Sequence, residues 1–295
     1  MIQNYFQNWY NYSAYRVKYV GGPIWIGEGD EKVIGDMKRE ALQSLKGKWG
    51  LGVGSTLLYV ILSYVISAIA VFIVMIPFGI VLASFGDSIN LLEEETMTMG
   101  FIAVFCLYYF LMVIVNLGIY GITAYGYTNV SLKISRRQGA TIDALFEGFR
   151  GFKRMMNTIK AMLLICLYSG MWIPLVLLFI MGFLEESGRG SGEGLVIALL
   201  VLLFISFVAI IIAYFSYAMT YYVMIDHPEY GALQAMKESK KIMKGHKMDL
   251  FLLWLSFIGW AILAFIPFGL GFLWLSPYFS TTTAHFYQKI SKGES

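Results

Sequence analysis

Long apolar stretches alternate with short polar ones along this chain. They run from Trp49 to Phe85, Met99 to about Leu132, Met162 to Leu184, Gly194 to Ile225 and Leu250 to about Tyr287. A helix that crosses a bilayer needs about 20 predominantly apolar residues, with about 17 as the lower limit. The last stretch is interrupted near its middle by Ile266-Pro267-Phe268-Gly269, and each half is just long enough to span. It reads as a tight helical hairpin, because proline and glycine together punctuate a helical run. The same tetrapeptide, Ile76-Pro77-Phe78-Gly79, comes late in the first stretch. The apolar residues beyond it there are too few to span, so that stretch reads as one crossing with an apolar extension. The third stretch carries Pro174 inside it. The sum is six crossings, with no Asp, Glu, Lys or Arg in any core.

The polar connections orient these crossings. Lys and Arg accumulate on the cytoplasmic side of a membrane. With the N-terminus inside, the inner segments hold every Lys and Arg except Arg189. The outer loops instead carry Asp87, Glu93, Glu94, Glu95, Glu185, Glu186 and Glu193. The reading is therefore N-in and C-in.

Three of the inner segments show helical periodicity. In Thr141 to Lys160 the apolar residues Ile142, Leu145, Phe146, Phe149, Phe152 and Met156 form one stripe. Arg150, Lys153 and Arg154 lie off it, and Thr141 is placed to cap the helix. In Gly231 to Lys247, Lys237, Lys240, Lys241 and Lys244 share a face, away from Leu233, Met236 and Met243. Asp36 to Lys48 is shorter and less regular.

An amphipathic helix followed by a membrane hairpin thus recurs three times. Ala-Leu repeats at Ala41, Ala144 and Ala232, and Lys-Gly at Lys46-Gly47 and Lys244-Gly245. Tyr-x-x-Thr recurs at Tyr120/Thr123, Tyr217/Thr220 and Tyr278/Thr281. Repeats of this kind build pseudo-symmetric bundles in membranes. The fold class is all-α integral membrane, with six transmembrane helices as three pseudo-repeated hairpins. The units are 37–132, 133–226 and 227–295, after an interfacial or partner-bound segment at 1–36.

Composition agrees. The 295 residues are 58% hydrophobic and only 14% charged, where soluble domains carry about 25% charged residues. Cys106 and Cys166 lie inside apolar runs and read as small buried residues. The start, Met1 to Val20, lacks the apolar core of a secretory signal, so the first run reads as a retained anchor.

Several polar residues compete for a role. The Tyr-x-x-Thr set would place three Tyr and three Thr around a central axis, as a polar constriction or a headgroup site. It equally suits an aromatic belt, with each Thr bonded to its own helix. Asn116, deep in the second crossing, suits a helix–helix bond or a ligand path. His285, near the cytoplasmic end of the last crossing, suits a bond to a neighbouring helix or a ligand contact. His227, before Pro228, reads as a helix end, and His246 as an interfacial residue. Gly118, Gly121 and Gly126 would let helices approach closely.

Leu45-Lys-Gly-Lys-Trp-Gly50, Leu145-Phe-Glu-Gly-Phe149, Asp226-His-Pro228, Ala235-Met-Lys-Glu-Ser239, Met243-Lys-Gly-His-Lys247, Leu255-Ser-Phe-Ile-Gly-Trp260 and Leu273-Trp-Leu-Ser-Pro-Tyr278 together resemble the bacterial membrane proteins grouped as "domain of unknown function 975". The resemblance covers about Met37 to Ile290. It implies a multipass cytoplasmic-membrane protein, mainly of Gram-positive bacteria, and brings no established activity or catalytic residue.

No His/Cys metal set, nucleophile elbow, phosphate loop or membrane-embedded carboxylate stands in the sequence. The expectation is no catalysis, no metal and no cofactor. Proton-driven pumping is disfavoured, because it uses ionisable groups inside the membrane. Nucleic-acid binding lacks a dense basic array on a soluble domain. Two functions stay open. One is a scaffold or accessory protein that binds anionic lipid or a protein partner through its basic cytoplasmic helices. The other is a passive or partner-driven conduit for a lipid or apolar peptide. An open groove lined by Tyr120, Tyr217 and Tyr278 would favour the conduit, and a filled centre the scaffold.

Overall fold

The computed structural model describes residues 28–88, 94–186 and 193–293. Residues 1–27, most of the proposed interfacial segment, lie outside the described residues. The helices are α1 (Glu28–Leu45), α2 (Trp49–Ser88), α3 (Glu94–Ser135), a 3-10 helix (Ile142–Phe149), α4 (Phe152–Ser169), α5 (Ile173–Glu186), α6 (Glu193–Tyr217), α7 (Thr220–Asp226), α8 (Ala232–Ile242), α9 (Lys247–Leu255), α10 (Ile258–Phe265) and α11 (Phe272–Lys292). No strand occurs among the described residues.

Four segments are long and apolar enough to cross a membrane: Trp49–Val81, Ala103–Ser135, Val196–Asp226 and Lys247–Phe265. Their outer surfaces are apolar and bare. Phe72 and Ile73 on α2, Phe105 and Leu107 on α3, and Phe204 and Ile205 on α6 are each more than half exposed. Apolar faces of this extent need cover, and lipid supplies it. The chain is built as a multi-pass membrane protein.

The shared tetrapeptide takes two forms. Pro77 lies within the unbroken α2, which runs on to Ser88 as the apolar extension expected there. At Ile266-Pro267-Phe268-Gly269 the chain turns, with Phe268 at φ 52° and Gly269 at φ 82°. This turn returns α11 against α10, where a Cβ at Gly271 would stand 2.5 Å from the Ala264 Cα.

Two expected helices are broken. The stretch Met162 to Leu184 divides because Gly170, left-handed at φ 74°, ends α4. The chain restarts as α5, and Pro174 sits in its first turn, where a missing N–H costs no helical bond. Thr141 to Lys160 is not one helix either. Ile142–Phe149 is a 3-10 helix, Gly151 turns the chain at φ 89°, and α4 begins at Phe152. Thr141 makes no side-chain cap bond. The apolar stripe is split accordingly: Leu145 is fully buried against α3, while Phe152 is three-quarters exposed.

The same kind of turn precedes two further helices. Gly47 (φ 77°) lies between α1 and α2, and Gly245 (φ 93°) between α8 and α9. Positive φ is costly for a residue with a Cβ, so glycine marks each turn.

The core gathers at the end of the bundle where α1 and α8 pack. α1 buries Met37, Ala41, Ser44 and Leu45 and lies along α11 and α3. Its Lys38 donates to the Ser256 carbonyl at 2.9 Å and rests 4.3 Å above the Phe257 ring. Burial pulls the Lys38 pKa down, and the carbonyl and ring offset part of that cost. α8 turns Ala235, Met236, Ser239 and Met243 inward and leaves Lys237, Lys240, Lys241 and Lys244 exposed. Ser239 stitches it to the α6–α7 junction, donating to the Ser216 carbonyl at 3.0 Å and accepting from the Met219 N–H at 3.2 Å.

Candidate functional site

At the centre of these helices lies a cavity of about 680 Å³, open on one side to the surface. Its walls are aromatic and come from the membrane helices in turn. α2 supplies Tyr59, α3 supplies Tyr120 and Tyr127, α6 supplies Tyr214 and Tyr217, and α7 supplies Tyr221 and Tyr222. Trp254, Phe257 and Phe279 close the side formed by α9, α10 and α11. Among the described residues, no Asp, Glu, Lys, Arg or His lines it.

Hydroxyls organise the tyrosines on one wall. Thr56 donates to the Gly52 carbonyl at 3.0 Å, so the Tyr127 hydroxyl, 2.8 Å away, donates to Thr56. Ser280 donates to that same Tyr127 oxygen at 3.4 Å, and Ser131 stands 2.9 Å from Ser280. The Tyr59 and Tyr127 rings stack at 4.9 Å. α2, α3 and α11 are thus joined by polar bonds at the cavity wall. Bonds between membrane helices are modest individually. Thr56→Val and Tyr127→Phe are each expected to cost about 1 kcal/mol. Because they share one bond, the double variant should cost less than the sum. Thermal unfolding in mild detergent measures all three, and strict additivity would show that the bond contributes nothing.

Two polar atoms of lining residues are left over. The Tyr221 hydroxyl and the Trp254 indole N–H are buried and find no hydrogen-bond partner among the described residues. An unpaired buried donor is costly. Both residues line the cavity with other atoms, and these two polar atoms are themselves covered by neighbouring side chains.

The anticipated site residues divide. Tyr120 and Tyr217 reach the cavity. Tyr278 does not: it packs edge-on against Phe257 at 5.0 Å, and Ser276, Phe279, Ser280 and Thr283 form the face of α11 that lines the space. One symmetric ring of three Tyr is therefore not formed. Thr123 turns back to the Ile119 and Tyr120 carbonyls, and Thr220 to the Tyr217 carbonyl. Thr281 is fully buried and unpaired. Asn116 bonds the Met112 carbonyl of its own helix at 2.9 Å. His285 joins α11 to α1, with Nε2 3.0 Å from the Ser44 hydroxyl and Nδ1 3.6 Å from Glu40. Among the basic residues, Arg150 pairs with Asp143 and Glu147, and Arg154 with Glu147. Lys153 is exposed.

Sequence reasoning missed Tyr59, Tyr127, Tyr214, Tyr221, Tyr222 and Trp254. A signal existed, since Tyr214, Tyr217 and Tyr221 follow the i, i+3, i+7 spacing of one helical face, as Tyr120 and Tyr127 do at i, i+7. It also missed a charged cluster at the end of the bundle. Arg136 donates from both terminal nitrogens to Asp226, each at 2.7 Å, and the Tyr287 hydroxyl donates to the same carboxylate at 2.9 Å.

The family model described as "Protein of unknown function (DUF975)" matches residues 33–294, and the chain belongs to that family. No curated protein and no solved structure gives a significant match.

Proposed function

We propose that this family member is a non-enzymatic membrane protein that takes up a neutral amphiphile in its tyrosine-walled cavity and serves as a conduit for it. The observation that carries this reading is the open cavity itself. A scaffold needs only its outer faces, whereas this bundle holds a central space of about 680 Å³ walled by seven tyrosines. Pockets of this size, mostly apolar with a few placed polar groups, suit small ligands. The described residues put no fixed charge on the lining, so a charged ligand would be desolvated without a partner there. The tyrosine hydroxyls on the lining offer donors to an acceptor. An ester or amide carbonyl on an apolar body meets these conditions, which describes the backbone of a lipid or of an apolar peptide.

The proposal places the protein in the bacterial cytoplasmic membrane with both termini inside. It counts α4–α5 and α11 as crossings beside the four long apolar segments. The glycine turns at Gly47, Gly151 and Gly245 support three units of like construction, each a cytoplasmic helix followed by a hairpin. A second role fits α8, whose Lys237, Lys240, Lys241 and Lys244 face outward above a buried apolar side. That face suits contact with an acidic partner or anionic lipid.

Gentle purification of the full chain followed by mass spectrometry tests the cavity reading. Wild type should retain one neutral lipid or apolar peptide at fixed stoichiometry. Ala124→Phe, which fills the cavity from α3, should lower that retention by about tenfold or more, equivalent to about 1.4 kcal/mol. Its melting temperature should stay near that of wild type. Equal retention by the folded Ala124→Phe variant, or nothing bound by wild type, would remove the conduit reading.

A further inference from the structure

A second depression, of about 720 Å³, lies apart from the tyrosine cavity. One wall is the start of α4, with Arg150, Lys153, Arg154 and Lys160. Lys153, Asn157 and Lys160 stand at i, i+4 and i+7, hence on one face of the helix. Asn157 aims that face. Its amide donates to the Tyr230 carbonyl at 3.0 Å and its oxygen accepts the Ala232 N–H at 2.8 Å. The α7–α8 connection therefore forms the opposite wall, from Pro228 to Gly231, while Tyr125, Met156 and Met224 line the space between.

The charges in this groove are unevenly matched. Arg150 and Arg154 are engaged by Asp143 and Glu147. Glu229, on the opposite wall, lies 3.3 Å from the His227 Nδ1, a contact that neutralises it only when the imidazole is protonated. Lys153 and Lys160 line the groove, are exposed, and have no acidic partner among the described residues. α4 begins at Phe152, and Gly151 before it supplies no side-chain cap to its first amides. Phe152 projects at the rim, three-quarters exposed. Two unmatched ammonium groups, an apolar floor and a projecting aromatic ring are the parts of a site that holds a phosphate while its acyl chains stay in the bilayer.

We infer that this groove binds the phosphate of an anionic phospholipid headgroup, with Lys153 and Lys160 as its principal cations. Because it rests on a different cavity and different residues, it stands or falls independently of the conduit reading. Phosphodiester recognition by lysine is a point-charge interaction, so removing charge while keeping length is the appropriate change.

The test uses the full chain in nanodiscs of equal phosphatidylglycerol and phosphatidylcholine, extracted gently and weighed by native mass spectrometry. Wild type should carry bound phosphatidylglycerol in preference to phosphatidylcholine. Lys153→Gln/Lys160→Gln should lower that preference by about tenfold. Lys46→Gln/Lys289→Gln, which removes the same charge from exposed positions outside the groove, should leave it unchanged. An equal loss in both double variants would mean diffuse attraction and would overturn the site, as would a wild type without preference. Millimolar inorganic phosphate should not displace the lipid. Displacement would assign the groove to a soluble phosphate and overturn the lipid assignment.

Discussion

Gly126→Ala is expected to destabilise this protein by about 3 kcal/mol or more, the largest effect of any Gly→Ala change among the described residues. A Cβ at position 126 would lie 1.8 Å from the Leu145 carbonyl oxygen, a contact that neither atom can relieve by rotating. The obstacle is backbone on both sides. The reciprocal contact is nearly as close, since a Cβ at Gly148 would lie 2.4 Å from the Ile122 carbonyl oxygen. The 3-10 helix and α3 therefore pack main chain to main chain, which small residues permit. To admit the methyl group the 3-10 helix must lift away. It would expose Leu145 and Ala144, now buried, and break the bond from the Asn129 amide to the Ala144 carbonyl at 3.2 Å. Gly54→Ala is the control, because nothing lies within 4 Å of a Cβ there. Heat denaturation in mild detergent should show a large loss for Gly126→Ala and little change for Gly54→Ala. Matching melting temperatures would show that the two elements are not packed in this way.

That contact shows where the sequence was legible and where it was not. Close helix approach at Gly118, Gly121 and Gly126 was readable from residue size alone. The partner was not: Gly118 and Gly121 meet α4 at Ile159 and Met162, whereas Gly126 meets the 3-10 helix. The 3-10 helix itself was hidden because Ile142, Leu145, Phe146 and Phe149 keep the i, i+3, i+4, i+7 spacing of an α-helix, and eight residues carry no second signal against it. Apolar stretches gave the long helices, since lipid imposes a minimum length on them. Their apolar residues could not say which tyrosines face inward, because spans that are apolar all round carry no apolar stripe; only the spacing of the tyrosines themselves could. The apolar pattern therefore did not separate Tyr120 and Tyr217, which line the cavity, from Tyr278, which packs against Phe257. The Ile-Pro-Phe-Gly pair makes the same point: one copy stays helical in α2, and the other turns where Gly271 can close on Ala264.

Asp226 was visible only as the neighbour of His227 and Pro228, and its partner lies 90 residues away in the chain. In the fold it is the acceptor that closes one end of the bundle. It ends α7, receives both Arg136 nitrogens just beyond α3, and receives the Tyr287 hydroxyl from α11. The pair is about three-quarters covered, with side-chain exposures of 27% and 22%. Bidentate guanidinium–carboxylate pairs are the stronger kind of charge-assisted bond. Removing one partner leaves the other desolvated and unmatched. Asp226→Asn is therefore expected to cost about 2–3 kcal/mol, and Arg136→Met about as much. Tyr287→Phe, which leaves the ion pair in place, should cost about 1 kcal/mol. The decisive measurement is Arg136→Met/Asp226→Asn, in which no charge remains to be stranded. It should be more stable than the two single losses added together, with a coupling of about 1–3 kcal/mol. A double variant whose loss equals that sum would mean that the two charges do not depend on one another. In that case α3, α7 and α11 would be held at this end by apolar packing around Tyr222 and Tyr287, whose rings stack at 5.0 Å.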